Sequence, residues 1–555
     1  MRFALPLCGG VLLSAVLVSA PPAATQEGTW ALTNARIETV TRGVIPRGAI
    51  VIRDGLIVAV GPDVRSPADA RVVDLANRTV YPGLIDLTSS LGVPATPAAQ
   101  GGAAAASSAA AQASNVGLEP GRVIASEIRP STSDIRGARD VGITAVLVAP
   151  TRGAFRGLSA LIPLRDDSVR QLVVRSPVAL HMGFQGVPGR YPATLLGVIA
   201  YQRQAFYDAQ RHAILLDRYR ADARGMARPT YSADLDALVP VVRGTLPAFF
   251  AASNENEIRR ALGIGKEFNA RVTVVGATEA FRATDALRGA RPPVVSVDFP
   301  RPSEVTGWSY RASQQRALGD SAAAESAVRR LVEGNAAALH RAGVQFALAS
   351  GSLGPADFLA NVRKAIAAGL PREVALQALT IRPAEIAGAG QQLGSIEAGK
   401  IANLIVAEGE LLTDNARVQM VFVDGIRHEV LVPPAGQRAR DTQAARGAPA
   451  VVAGLAQVAG SWDVTVNNPQ GANRGTLTVT QNGAVLDGRM VTELGTVEIT
   501  DGQVTGNNVT WAVTLPIAGQ TTTIVFQGQV QGDRITGTAD LGAQGSMTFS
   551  AERKP

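Results

Sequence analysis

The sequence predicts a (β/α)8 barrel set into a small β-sandwich, followed by a separate all-β domain. Three observations predict it. Strand-and-turn segments open the chain after residue 28 and return near residue 402, bracketing a long middle. That middle alternates apolar strands with amphipathic helices over roughly 300 residues, the length of a parallel barrel. Beyond residue 433 the pattern becomes short alternating runs separated by turn dipeptides. A chain of 555 residues, 46% apolar and 18% charged, can bury several cores.

The first element is a leader. Arg2 precedes an apolar stretch from Phe3 to Val18, then small residues and prolines through Ala24. This is the pattern of a secretory signal peptide over 1–25, with cleavage between Ala20 and Gln26. The single cysteine, Cys8, lies inside it, so disulfides and cysteine-based zinc sites are excluded from the mature chain. The expected location is periplasmic or secreted. No later stretch is long and apolar enough to span a membrane.

Residues 28–80 and 393–432 read as one composite β-sandwich. Ala31–Val40, Ala49–Arg53, Leu56–Val60 and Arg71–Asp74 are strand-like at one end and Ala402–Val432 at the other. Asp54-Gly55 and Asp424-Gly425 are hairpin turns. Residues 81–392 form the barrel. Its strands are Ile143–Val148, Pro177–Leu180, Pro247–Ala252, Arg271–Val275, Pro293–Asp298 and Val344–Ala349. Its helices include one capped by Ser253, then Tyr201–Arg220, Glu279–Arg288, Ala322–Ala342 and Ala356–Ala368. An open doubly wound sheet would usually carry a glycine-rich phosphate turn, and no G-x-G-x-x-G or P-loop occurs. The alanine-rich stretch 95–114 reads as a low-complexity insertion. Residues 433–450 are a linker, and 451–555 an antiparallel barrel or sandwich of accessory character.

Charge narrows the function classes. Basic residues number 53 against 46 acidic, a net +7, but the arginines are scattered without aromatic interleaving, which argues against nucleic acid. There are four histidines, His181, His212, His340 and His428, too few for a histidine-rich metal site. His212 is expected on the surface of its helix. His340 sits near a helix end, where a charged ring suits the dipole.

Three segments near the start carry a resemblance: Leu32-Thr33-Asn34-Ala35-Arg36-Ile37, Ile52-Arg53-Asp54-Gly55-Leu56-Ile57-Val58-Ala59-Val60-Gly61, and Val80-Tyr81-Pro82-Gly83-Leu84-Ile85-Asp86. Three more close it: Ala375 to Thr380, Leu393 to Lys400, and Val421 to Gly425. Together they resemble the amidohydrolase superfamily, in its imidazolonepropionase-like and dipeptidase-like branch, and bracket residues 30–432. The resemblance implies a barrel with a flanking β-sandwich, zinc or another divalent metal, and hydrolysis of amide-type C–N bonds. The metal would lower the pKa of a bound water, and a carboxylate would orient it.

The residues depart from that pattern where ligands are expected. The positions of the family's His-x-His pair are Thr88 and Ser90. Later ligand positions are Ala251, Val275 and Gly351, where the family has two histidines and an aspartate. Lys266 and Lys364 lie in helices and Lys400 and Lys554 outside the barrel, so no bridging lysine is available. No cofactor is therefore expected. Candidate pocket residues are Thr88, Ser90, His181, Asp298 and Ser350, with Asp86 supporting the strand end. Three functional readings follow. One is an exported amidohydrolase-fold protein with a decayed site, binding a small polar ligand or a cell-envelope partner. Another is a metal-free hydrolase using Thr88, Ser90 or His181. The third makes the C-terminal β-module the working part, binding glycan or a cell-surface partner.

Overall fold

The computed structural model describes residues 28–76, 78–93, 118–165, 173–186, 191–300, 321–430 and 456–554, the last without 469–470, 483–484, 493–494, 518–519 and 541–545. The leader, the alanine-rich stretch and the linker read from the sequence lie outside the described residues. The chain divides into two compact units, 1–431 and 432–555. Among the described residues no helix is long and apolar enough to cross a membrane.

The first unit opens with β1 (Trp30–Glu38), β2 (Val44–Arg53), β3 (Leu56–Gly61), β4 (Arg71–Asp74) and β5 (Thr79–Pro82). The β2–β3 turn has positive φ at Asp54 (50°) and Gly55 (77°), the conformation that lets a two-residue loop follow strand twist. β1 pairs β4 along its first half and β5 along its second, both parallel.

The barrel strands follow: β6 (Leu84–Ser89), β7 (Ile143–Val148), β8 (Phe155–Leu158), β9 (Ala160–Pro163), β10 (Leu180–Gly183), β11 (Ala248–Ala252), β12 (Val272–Gly276), β13 (Val294–Ser296) and β14 (Ala347–Ala349). β6 runs parallel to β7, and β10 to β14 form a parallel run. Between these sets, residues 155–163 make one antiparallel stave. Its first half, β8, pairs β10, and its second half, β9, pairs β7. The ladders thus form two sheets, one of six strands and one of three, joined through this stave, with seven strands of one direction and one stave reversed, where the sequence reading expects eight alike. The sequence reading assigns no strand to residues 155–163, whose run FRGLSALIP lacks clean alternation, and a local pattern carries no strand direction. β10 begins at Leu180, so His181 lies inside this strand rather than after it.

Period-two alternation sorts the strand side chains. Leu147, Phe249, Val294 and Ala347 pack inside the ring, while Val146, Phe250, Val295 and Leu348 face the helices. The helices are α1 (Thr132–Asp140), α2 (Leu195–Ala221), α3 (Ala233–Val242), α4 (Glu255–Glu267), α5 (Thr284–Leu287), α6 (Ser321–Glu333), α7 (Asn335–Arg341), α8 (Pro355–Ala367), α9 (Arg372–Leu379) and α10 (Ile381–Ile386). The side chain of Asn254, not of Ser253, caps α4 by accepting the Glu257 N–H at 3.0 Å. The helix expected over Glu279–Arg288 is a 3-10 turn (Ala280–Arg282) followed by the single turn α5, because Asn335 takes the Phe281 N–H at 2.8 Å. The helix expected over Ala322–Ala342 breaks at Gly334.

The chain then returns through β15 (Leu404–Glu408), β16 (Arg417–Val423) and β17 (Ile426–Glu429) to the first sheet. β15 pairs β5, giving the order β17-β16-β15-β5-β1-β2-β3. The composite sandwich is thus one connected, branched eight-stranded sheet around Leu32, Ile50, Ile396, Leu404 and Phe422.

The second unit is a closed barrel of eight antiparallel strands: β18 (Gly460–Asn468), β19 (Gly471–Asn482), β20 (Val485–Thr492), β21 (Gly495–Thr505), β22 (Asn508–Ile517), β23 (Gln520–Gln531), β24 (Arg534–Asp540) and β25 (Ser546–Arg553). Its interior holds Trp511 stacked on Phe526 at 5.0 Å, with Phe549 edge-on to both. At one end Arg553 lies 4.3 Å over the Trp462 ring and donates to the carbonyls of Ala459 and Gln457.

Candidate functional site

The C-terminal ends of β6, β7 and β10 to β14 surround a cavity of about 660 Å³. Thr88, His181, Ala251, Val275, Asp298 and Gly351 line it. Ser350 and Ser90 lie elsewhere. Both border a neighbouring cavity shared with Arg129 and Ser131, Ser350 being itself buried. β6 ends at Ser89, whose hydroxyl takes the Leu91 N–H at 3.1 Å, so the alternation that would align Ser90 with Thr88 stops one residue early.

Asp86 organises the floor where β6 meets β14. Its Oδ1 accepts the backbone N–H of Ser350 at 3.0 Å and of Thr88 at 3.2 Å, and its Oδ2 accepts the Ser350 hydroxyl at 2.6 Å. The Thr88 hydroxyl reaches the same carboxylate at 3.2 Å and accepts the Gly351 N–H at 2.8 Å. This set of donors fixes the orientation of the buried carboxylate. Gly351 has φ +70°, and a methyl there would stand 2.4 Å from the Ser296 hydroxyl, so no side chain fits without displacement. Across the mouth, Asp298 accepts both the backbone N–H and the hydroxyl of Ser352.

Two cavity groups carry no sequence motif. Glu279 is buried beside Arg282 at 3.7 Å. Arg156 reaches the cavity through a β-bulge. His181 opposes Gly157 and Met182 opposes Phe155, leaving Arg156 as the extra residue. Gly157 takes φ +111°, which only glycine adopts readily, and the bulge re-aims the arginine. Gly183 leaves room for the guanidinium, since a methyl there would lie 2.5 Å from Nη2. The signal was a single arginine followed by glycine inside an otherwise buried run. Among the described residues Arg156 has no acidic partner. Its one hydrogen bond is a long one, from Nε to the Gly153 carbonyl at 3.4 Å.

His181 packs on Phe249 with ring centroids 5.3 Å apart, and its buried Nε2 has no hydrogen-bond partner among the described residues. Burial first, and the Arg156 charge second, pull its pKa down to about 3, so the ring is neutral at physiological pH. Burial also lowers Arg156 to about 10, still charged near neutrality. His212 is buried rather than exposed, its Nε2 2.9 Å from Asp236, joining α2 to α3. His340 is exposed at the end of α7, and His428 lies on β17 opposite Val421.

The divalent ion that the resemblance implies does not fit these side chains. Of the four presumed ligand positions at the cavity, three offer no donor atom, and the fourth, Thr88, has its hydroxyl engaged. Among the described residues no three histidine, cysteine, aspartate or glutamate side chains converge as a metal site. The Thr88 hydroxyl bonds to carboxylate, hydroxyl and amide, not to an imidazole.

Residues 250–427 match the family model described as the amidohydrolase family. The solved amidohydrolase from Thermotoga maritima MSB8 is 23% identical, with a TM-score of 0.59, covering 72% of this chain and 98% of its own. That likeness establishes the fold. A putative prolidase from Bifidobacterium longum is 18% identical, covering 76% of this chain and 99% of its own, with a TM-score of 0.44. An Xaa-Pro dipeptidase solved with methionine in its active site is 16% identical, covering 72% and 100%, with a TM-score of 0.41. None of the curated proteins matches this chain. The resemblance read from the two ends of the sequence is to this family.

Proposed function

We propose that the chain is an exported protein of amidohydrolase fold that binds a small ligand at the strand-end cavity and has lost metal-dependent hydrolysis. The observation that carries this reading is the closed network of Asp86, Thr88, Ser350 and Gly351. Metal-assisted hydrolysis needs a water whose pKa is brought down to about 7, and that takes an ion held by several side chains. Here the polar groups at the strand ends satisfy one another, and Ala251, Val275 and Gly351 supply no lone pair. The site keeps a cavity of about 660 Å³, within the size range of small-molecule pockets.

The test is metal analysis of the purified chain, alongside turnover assays on acyl-amino-acid, dipeptide and cyclic-amide panels. Substoichiometric zinc and no chelator-sensitive turnover are expected. Stoichiometric metal with chelator-sensitive hydrolysis would sink the reading. Export is tested by sequencing the N-terminus of the periplasmic or secreted protein, expected to begin between Ala20 and Gln26.

A further inference from the structure

Among the described residues Arg156 is a charged group without an acidic partner. Glu279 lies beside Arg282, and Asp298 is held by Ser352. The Arg156 guanidinium, by contrast, faces the cavity with only a long bond to one carbonyl. A guanidinium with its Nη donors free matches a carboxylate in a bidentate fork. His181, neutral beside it, adds a polar ring without adding charge. The stave that carries Arg156 lies between β7 and β10, whereas Asp298 follows β13, on the far side of the ring. Asp298 and Glu279 weigh against a dianion and favour a ligand of single charge. The walls between mix apolar groups, among them Leu87, Ala251, Val275 and Phe299, with the polar side chains of Thr151, Ser253, Asn254 and Thr278.

We infer that this cavity binds a small monocarboxylic acid, its carboxylate seated on Arg156 beside His181. The inference rests on reading the cavity as a ligand site. The bulge is the device that makes it, because it turns an arginine out of an otherwise apolar stave and Gly183 leaves the space it occupies.

The experiment is calorimetric titration of the full mature chain at constant ionic strength with 4-methylpentanoate and benzoate. Their neutral amides and inorganic phosphate are the comparison arms. Saturable carboxylate binding is expected, with the amides at least roughly tenfold weaker and phosphate weaker than either carboxylate. Arg156→Gln is expected to weaken carboxylate binding by about tenfold or more. Gly183→Ala keeps the charge but displaces the guanidinium, and is expected to weaken it as well. It also serves as the variant if Arg156→Gln does not fold. Equal affinity for acid and amide, tighter binding of phosphate, absence of binding at millimolar probe, or unchanged affinity in a folded variant each overturns the inference. Metal content and turnover measured on the same sample separate the two readings. A loaded, active enzyme defeats the proposed function whatever the titration gives, and a metal-free protein that ignores carboxylates defeats only this inference.

Discussion

At the scale of single residues, Asp86 and His181 show opposite uses of burial. Asp86 is buried and surrounded by donors, so Asp86→Ala leaves the Ser350 and Thr88 amides unanswered. A loss of about 3 kcal/mol in the unfolding free energy of the first unit is expected, read by denaturant titration. His181 is held neutral by burial and by Arg156. Its folded pKa of about 3 lies below the unfolded value of 6.5, so the unfolded chain takes up a proton that the folded chain refuses. The stability is complete above the unfolded value and drains away as pH falls from there toward 3. His181→Phe removes this drain. Between pH 6 and pH 4 the variant should gain on the parent by up to about 1.4 kcal/mol per pH unit, checked by denaturation at each pH. Asp86 was legible as a strand-end support, because an aspartate closing an apolar strand needs donors. Arg156 was not, since an arginine in a sequence with 53 basic residues attracts no notice until the register shift beside Gly157 is seen.

At the scale of elements, the reversed stave sets both the ring closure and the cavity's charge. A methyl at Gly157 would lie 2.6 Å from the Arg122 carbonyl, at a φ that side chains rarely accept. Gly157→Ala should cost about 2–3 kcal/mol and weaken carboxylate binding together, whereas Gly137→Ala, inside α1 with open space around it, should leave binding unchanged and raise stability by about 0.5–1 kcal/mol. Denaturant midpoints and the titration above read the two effects. The Asp-Gly hairpins were legible because that dipeptide carries its own turn geometry, and positive φ occurs at Asp54, Gly55, Asp424 and Gly425. The short turns over 280–287 were not. Their helix-like composition is overruled by Asn335, a partner 54 residues away from Phe281.

At the scale of the whole molecule, the two units keep separate apolar cores, and the second is a ring of strands with no unpaired edge. Two calorimetric transitions are expected, and Trp511→Ala should lower only one of them by several degrees. A single unchanged transition would contradict this division. The outline was legible because alternation changes character near residue 433, while strand direction and the branching at β1 depend on pairings that no local pattern encodes. The pairing of β5 with β15 also orders events during synthesis. Pro82 meets Leu404 across that ladder, so the sheet begun by the first residues stays unfinished until the ribosome has passed position 404. A message cut short before that codon would yield a chain with an open strand flank, a ready substrate for proteases and for sticking to its own kind.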